Sequence, residues 1–205
     1  LYWNKDAFKR AGLNPEKATQ TWQEVEDFGR KLGVKQGNTI SQWGSELPTT
    51  PIGYWVLQAI AATNGATLDN NKGTAVTFNT PQTVEALNWM HELASKYAVS
   101  PPGAINWGTT PQDFLEGKTA MMVTTTGNLG TVRNSAKFPF GVAMLPEKTQ
   151  RGSPTGGGNL YLFKGATPAQ QQAALSFMRW VSAPEQAARW SIATGYVATS
   201  PAAWE

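Results

Sequence analysis

Two glycine-containing segments hold the residues that could bind a ligand through the backbone. Gly127-Asn128 comes after the apolar stretch 120–123 and before a short helical pattern. Three glycines at 156–158 come before the apolar stretch 159–163. N–H groups at the start of a helix bind anions or hydroxyl oxygens, glycine lets a ligand approach the backbone, and ligands of open α/β sheets bind at strand ends. The pattern predicts a binding site, although each segment alone is equally typical of a plain helix start or loop, and nothing in it indicates catalysis.

Aromatic side chains are the second group that could contact a ligand, because the chain contains nine Trp, five Tyr and eight Phe. Such a content indicates either a large aromatic core or surfaces on which a ligand stacks. Trp43 lies near a predicted loop, where it would stack on a sugar ring or cover an edge of the core. Tyr54 and Trp55 open a predicted buried helix, where core packing is expected for at least one of them. Tyr196 follows a Thr-Gly pair in a loop, which favours a ligand contact.

Residues of the types that perform catalysis are scarce. His91 is the sole histidine and lies in the middle of a predicted helix, where a surface or core role is the ordinary one, and cysteine is absent. A histidine-rich or thiolate metal site is therefore excluded, and we expect no metal and no cofactor. A glycosidase needs two inward-facing carboxylates, and no pair in the sequence is favoured for that role. Carboxylates such as Asp113 lie on or beside helices, so we expect no catalytic residue.

The composition is that of a globular chain with a real core. It has 205 residues, of which 40% are hydrophobic and 15% charged, and its net charge of +3 comes from scattered Lys and Arg. The longest cationic groups are pairs such as Lys9-Arg10, which do not fit a nucleic-acid groove. No stretch approaches the roughly 18 apolar residues that a membrane span needs, so we expect neither a membrane span nor a signal peptide within these residues. Both ends look cut, at Leu1 and at Glu205, so we expect a fragment of a longer protein.

The elements that must position these residues alternate between strands and helices, which predicts an α/β lobe with a mixed sheet flanked by helices. Strands are expected at 1–3, 39–43, 120–123, 138–145 and 159–163, and helices at 4–11, 21–33, 53–63, 81–94, 111–115, 129–137, 167–181 and 183–193. The whole chain, 1–205, is predicted to form this single lobe.

Side-chain patterns within the predicted helices indicate their caps and their buried faces. Thr21 is a good N-cap, and Glu24 three residues later completes a capping box. Pro81 suits the first turn of the next long helix. The residues expected to face inward from that helix are Val84, Leu87, Met90 or His91, and Ala94. Those expected inside the helix at 167–181 are Ala174, Phe177, Met178 and Val181.

Several motifs in the same order resemble the second lobe of extracellular solute-binding proteins of sugar-type ABC importers, the maltose-binding-protein-like family. They are LYWNKDAF at 1–8, AGL at 11–13, WQEV at 22–25, FLEGKTAM at 114–121, FGVAMLP at 140–146, GGGN at 156–159, PEQAA at 184–188 and TGY at 194–196. The resemblance covers essentially the whole chain. It implies one lobe of the two-lobe periplasmic-binding-protein fold.

Within that family the chain is most similar to the branch that binds glycerol phosphate and glycerophosphodiesters. The similarity rests on TTTGNL at 124–129 with Arg133, and on KFPFGV at 137–142. In that branch the ligand is lined by aromatic residues before the buried helix, a glycine–serine helix start, a strand glycine and the tyrosine of a Gly-Tyr pair. Carried over, the ligand-binding residues are Tyr54, Gly127, Asn128, Gly157 and Tyr196, to which Trp43 is added as a stacking candidate.

Two substitutions separate this chain from the branch. Asn128 stands where the branch has serine, and Pro51 stands where it has a second tryptophan. The branch's phosphate-binding arginine would lie beyond Glu205. A neutral sugar or oligosaccharide is therefore as open as a glycerol-phosphate compound.

The resemblance implies a non-catalytic receptor that binds a small solute and delivers it to an ABC importer. Its partners would be the solute, the membrane permease subunits and the first lobe of the same chain, and its place the periplasm or the outer face of a bacterial membrane. Two other functions stay open. A carbohydrate-active enzyme domain would turn over a model glycoside, and a lectin-like module would be retained on insoluble glycan.

Overall fold

The computed structural model describes residues 1–70 and 72–204, which fall into two compact units. Unit 1 consists of Leu1–Thr124 and Ser135–Pro154, and unit 2 consists of Thr125–Asn134 and the chain from Thr155 onward. The prediction that residues 1–205 form one lobe is not tested by this division and stays a prediction.

The strands of the described residues all lie in unit 1 and are short. In chain order they are β1 (Tyr2–Asn4), β2 (Val34–Gln36), β3 (Thr39–Gln42), β4 (Met121–Met122) and β5 (Phe140–Val142). An antiparallel sheet has the order β4-β1-β5, and a separate hairpin joins β2 to β3. Tyr2 of the central strand lies opposite Met122 on one side and Val142 on the other. The predicted strands at 1–3, 39–43, 120–123 and 138–145 are thus found with shorter bounds, and β2 was not predicted.

Five helices follow the predicted starts and ends in unit 1. They are α1 (Lys5–Arg10), α2 (Trp22–Leu32), α3 (Tyr54–Thr63), α4 (Pro81–Ser95) and α5 (Thr110–Leu115). Thr21 caps α2, because its Oγ1 accepts a hydrogen bond from the Glu24 N–H at 3.1 Å. The Glu24 carboxylate accepts from the N–H of Gln20, one residue before the partner of a standard capping box. The helix start was therefore predicted correctly and its return bond was not.

The buried face of α4 is shifted by one residue along the chain from the predicted face. Val84 and Leu87 were expected inside but are 47% and 54% exposed. The buried residues of this helix are instead Thr83, Ala86, Trp89 and Leu93. Trp89 decides the rotation of the helix, since its large side chain is the one that gains most from burial.

Two tryptophans form the centre of the contact between α2 and α4. The rings of Trp22 and Trp89 stack with centroids 4.4 Å apart and planes 17° apart. Each buried indole N–H has a partner: Trp22 Nε1 donates to Thr63 Oγ1 at 3.0 Å, and Trp89 Nε1 donates to Glu26 Oε1 at 2.9 Å. Part of the high tryptophan content is therefore core rather than ligand surface.

Unit 2 is helical and exposes much apolar surface. It contains a 3-10 turn at Thr126–Asn128 leading into α6 (Leu129–Ser135, whose last residue belongs to unit 1), then α7 (Pro168–Val181), α8 (Pro184–Thr194) and a 3-10 turn at Pro201–Ala203. Phe177 was predicted to face inward from α7 but is exposed, whereas Ala174, Met178 and Val181 are half-buried. Among the residues that the structure describes, no helix is both long and apolar enough to cross a membrane.

The strand predicted at 159–163 is wrong. These residues have no strand or helix structure, and Leu160 to Phe163 are all exposed. A strand needs a neighbouring strand to pair its N–H and C=O groups, and within the described residues no strand pairs with this segment. Residues 159–163 therefore have the apolar pattern of a strand, but within the described residues they have no strand to pair with.

Candidate functional site

Gly127 and Tyr196, far apart in the sequence, are in direct contact within unit 2. A Cβ atom added to Gly127 would lie 2.4 Å from Cζ and 2.6 Å from the hydroxyl oxygen of Tyr196. Real Cβ atoms do not approach other heavy atoms so closely, so the ring lies where any other residue would place its side chain. The structure thereby brings together two of the predicted ligand-binding residues.

Two further glycines hold this contact in place. Gly195 ends α8 in the left-handed region with φ 87°, and a Cβ there would lie 2.4 Å from the Leu129 Cβ and 2.8 Å from the Thr126 carbonyl oxygen. A Cβ on Gly130 would lie 3.3 Å from the carbonyl oxygen of Ala193. The turn at 126–130 and the end of α8 are therefore packed closely, which requires glycine at 195 and is eased by glycine at 130. This packing fixes the start of the loop that carries Tyr196.

The backbone donors at this helix start have partners within the turn. The N–H of Gly127 donates to Thr125 Oγ1 at 3.2 Å, and the N–H of Asn128 donates to the Thr125 carbonyl oxygen at 3.2 Å. The two N–H groups expected to bind a ligand are thus engaged internally. What the turn presents instead is the ring of Tyr196, which is 43% exposed, and the half-buried Asn128.

The predicted site residue Gly157 is not packed against these residues. It lies in the exposed segment that follows Thr155, and a Cβ added to it would meet nothing within 4 Å. Neither close approach nor a left-handed backbone requires glycine here. Its contact with a ligand stays a prediction.

Tyr54 is the predicted ligand contact of unit 1 that is most exposed. It is the first residue of α3, its side chain is 60% exposed, and its ring lies 5.5 Å from that of Trp55 at a tilt of 33°. Gly53 precedes it at a position where a Cβ would lie 2.2 Å from the Thr49 carbonyl oxygen. A helix start held this closely presents an aromatic ring to solvent, as a ligand contact requires.

Trp43, the remaining candidate, lines a cavity of about 400 Å³ in unit 1. We call it the Trp43–Glu46 cavity, and its lining residues are Ile40, Ser41, Trp43, Glu46, Pro101, Asp113 and Lys118. The backbone of Trp43 is held by bonds to the Lys118 carbonyl at 2.7 Å and from the Ala120 N–H at 2.9 Å. Trp43 therefore lies beside a charged cavity that does not include Tyr54.

Glu46 is the unusual residue of this cavity, and its side chain is 3% exposed. Burial, and after it the negative charge of Asp113, raise the pKa of the Glu46 carboxyl from 4.5 to about 7. A hydrogen bond with the Thr110 side chain and the ammonium of Lys118 oppose the rise. Across residues 1–70 and 72–204, no hydrogen-bond partner reaches Glu46 Oε2. No sequence pattern identified this residue, because a single glutamate in a proline-containing loop is ordinary.

A larger cavity of about 750 Å³ lies between α2 and α4, and two of the carboxylates in its lining, Glu26 and Glu85, are bonded within the protein. Glu26 accepts from Trp89, and Glu85 accepts from Asn64 Nδ2 at 2.8 Å. That bond, followed by the contact with Lys148, lowers the pKa of the Glu85 carboxyl. These contacts engage both carboxylates in stabilising the fold.

No cluster of three His, Asp or Glu side chains suited to a metal ion occurs in the part of the chain that the structure describes. His91 lies on the exposed side of α4, where its Nδ1 is 3.2 Å from the Ser95 hydroxyl. The candidate residues Tyr54, Tyr196 and Asn128 offer aromatic and polar contacts to a ligand.

Solved structures place this architecture in the class of periplasmic solute-binding folds. UgpB from Mycobacterium tuberculosis in complex with glycerophosphocholine matches with a TM-score of 0.82 and 26% identity, over 96% of this chain and 48% of that chain. Maltose-bound MalE3 of T. maritima matches with a TM-score of 0.74 and 21% identity, over 100% of this chain and 53% of that chain. The α/β prediction is confirmed, and the chain corresponds to about half of these folds.

The sequence model described as bacterial extracellular solute-binding protein matches residues 1–204, so the chain belongs to that family. The sn-glycerol-3-phosphate-binding periplasmic protein UgpB of Pectobacterium atrosepticum is 32% identical over 213 residues, covering 100% of this chain and 47% of the relative. UgpB of Escherichia coli K12 is 30% identical and covers 100% and 48%. The chain thus spans about half the length of the curated relatives it matches. The predicted family is confirmed.

Proposed function

We propose that this chain forms the ligand-binding second lobe of a solute receptor for an ABC importer. The receptor binds a small polyhydroxylated solute and delivers it to the membrane permease subunits, in the periplasm or on the outer face of a bacterial membrane. The first lobe of the same receptor completes the site. Family membership over residues 1–204 supports this function.

One observation carries the proposal: three glycines hold the exposed ring of Tyr196 against the turn that leads into α6. A ligand-binding aromatic on a loop loses affinity if the loop must be ordered on binding, and the close contacts at Gly127, Gly130 and Gly195 remove that cost. The face of an aromatic ring packs on the C–H groups of a sugar or glycerol unit, while its hydroxyl bonds to their oxygens. Tyr196 and Tyr54 are the residues we assign to such contacts.

The solute class follows from what the relatives bind. The curated relatives are named for sn-glycerol-3-phosphate, and the solved structures hold glycerophosphocholine and maltose. These ligands share a polyol unit. We propose a sugar, an oligosaccharide or a glycerol-phosphate compound for this receptor, and we assign Asn128 to bonds with its oxygens.

The receptor is proposed to catalyse no reaction. The relatives are solute-binding proteins, and the candidate contacts Tyr54, Asn128 and Tyr196 include no nucleophile activated by a base. Binding and release are the chemistry that this arrangement supports.

Removing either tyrosine ring tests the assignment. Tyr54→Ala and Tyr196→Ala in the full receptor should each weaken binding by at least about 1 kcal/mol, roughly fivefold in Kd, because the stacked ring is lost. Calorimetry gives the Kd, and thermal unfolding shows that the fold is kept.

Phe177→Ala is the matched control, because Phe177 is an exposed aromatic of α7 to which we assign no ligand contact. Its Kd should equal that of the unsubstituted receptor. Unchanged affinity in both tyrosine variants would overturn the site.

A further inference from the structure

The segment from Asn159 to Phe163 in unit 2 is an apolar stretch whose backbone has almost no partner. Within the described residues none of its N–H groups donates a hydrogen bond, and only the Phe163 carbonyl accepts one, from the Ala166 N–H at 3.2 Å. The four side chains from Leu160 to Phe163 are 40–80% exposed. The segment therefore presents apolar surface together with backbone groups that a neighbouring strand could bond.

The side chains of the segment have the pattern of a strand that is buried on both faces. Successive residues of a strand point to opposite sides, so Leu160 and Leu162 would lie on one face and Tyr161 and Phe163 on the other. All four are large and apolar or aromatic, whereas a strand with one solvated face alternates with polar residues. Such a pattern is typical of the interior of a sheet.

Unit 2 has no core of its own on which this segment could pack. Among the described residues of the unit, the buried hydrophobic ones are Val132 of α6 and Ala187 of α8. A domain folds around a contiguous apolar core, which two small side chains do not form. Unit 2 therefore needs apolar surface that its own residues do not supply.

The lack of charge around the segment favours a permanent partner over a transient one. No charged residue occurs between Arg151 and Lys164. Exposed strand edges of native proteins are usually protected by charges, proline or a covering element, because a bare apolar edge pairs with other strands. This segment lacks protecting charges, so a contact that forms as the receptor folds fits it better than one that forms and breaks with a permease.

The length of the relatives indicates where the partner comes from. The chain spans about half the length of the curated relatives that it matches, so as much chain again would belong to a receptor of this kind. In the proposed function, on which this inference rests, that remaining part is the first lobe. A region of this size is long enough to contain a sheet.

We propose that the first lobe of the receptor adds a strand beside residues 159–163 and covers their exposed faces. The N–H and C=O groups of the segment then bond to the added strand, and its leucine and aromatic side chains become buried. Gly157 lies two residues before the segment, so the same pairing orders a residue that is predicted to contact the solute.

Hydrogen–deuterium exchange of the full receptor without solute tests the pairing. Peptides that cover 159–163 should exchange at least roughly 100-fold more slowly than the same peptides in the urea-unfolded receptor, because paired N–H groups exchange only when the strand opens. The protection should not depend on receptor concentration. Exchange at the unfolded rate would overturn the proposal, and so would protection that is lost on dilution, which would indicate pairing between two copies. Because no solute is present, this result is separate from the test of solute binding.

Phe163→Asp and Phe78→Asp form the matched pair of variants, because both phenylalanines are exposed here and only Phe163 belongs to the segment. Phe163→Asp places a charge where the proposal buries a ring and should lower the Tm of the full receptor by at least about 4 °C. Phe78→Asp, in a loop of unit 1, should change it by less than about 1 °C. Equal shifts would overturn the proposal. If Phe163→Asp does not fold, the exchange rates of the unsubstituted receptor decide.

Discussion

Raising the pH from 5 to 8 is expected to destabilise the protein through Glu46. An unfolded glutamate titrates near 4.5, while the folded Glu46 titrates near 7 because it is buried beside Asp113. The folded state therefore holds a proton that the unfolded state has released. The stabilisation from that proton is complete below pH 4.5 and is lost as the pH rises through 7, by up to roughly 3 kcal/mol.

Urea unfolding at pH 5, 6, 7 and 8 measures this loss, and Glu46→Gln identifies its source. The glutamine variant cannot release a proton, so its free energy of unfolding should change much less over the same range. Glu185→Gln is the control, because the Glu185 carboxylate is exposed on α8 in unit 2 and its ion-pair partner is Arg189. It should retain the pH dependence of the unsubstituted chain. An equal dependence in the Glu46 variant would show that another group is responsible.

Adding a single methyl group at Gly127 is expected to displace Tyr196 and to weaken solute binding by the full receptor. The new Cβ would lie 2.4 Å from the Tyr196 ring, so either the ring or the turn must move. We expect Gly127→Ala to raise the Kd at least tenfold, about 1.4 kcal/mol, because a misplaced ring no longer stacks on the ligand. Calorimetry measures the Kd.

The same methyl group at Gly195 should also affect stability. Its φ of 87° strains any residue with a Cβ, and the new atom would meet Leu129 and the Thr126 carbonyl. Gly195→Ala is expected to lower the free energy of unfolding by about 1–3 kcal/mol, measured by urea unfolding. Gly165→Ala is the matched control for both variants, because a Cβ there meets nothing within 4 Å and the residue lies outside the glycine segment at 156–158. If Gly127→Ala binds the solute with an unchanged Kd, Tyr196 is not a ligand contact.

Local rules predicted those parts of the fold that local chemistry decides. Thr21 was recognised as a cap because a threonine three residues before a glutamate is a local signal for a helix start. The rotation of α4 was not, because it depends on the stacking of Trp89 on Trp22, which belongs to another helix. The segment at 159–163 has the apolar pattern of a strand, but pairing depends on a partner that its own residues do not specify.

The candidate site was predicted residue by residue but not as an arrangement. Gly127 and Tyr196 were each identified, yet no local pattern could show that the glycine makes room for the tyrosine ring. The engagement of the Gly127 N–H by Thr125 was likewise invisible, and it changes the expected contact from backbone to side chain. Glu46 was missed altogether, because its raised pKa arises from burial and from Asp113, which is distant in sequence.

Isothermal titration of the full receptor with maltose, trehalose, glycerol phosphate and glycerophosphocholine tests the central claim most directly. The titrations should be run with the unsubstituted receptor and with Tyr196→Ala, and the solutes analysed afterwards for cleavage. We predict saturable binding of one solute, recovered intact, with a Kd at least about fivefold weaker in the variant. No saturable binding to any of the four, or recovery of a cleaved product, would contradict a solute receptor of the proposed class.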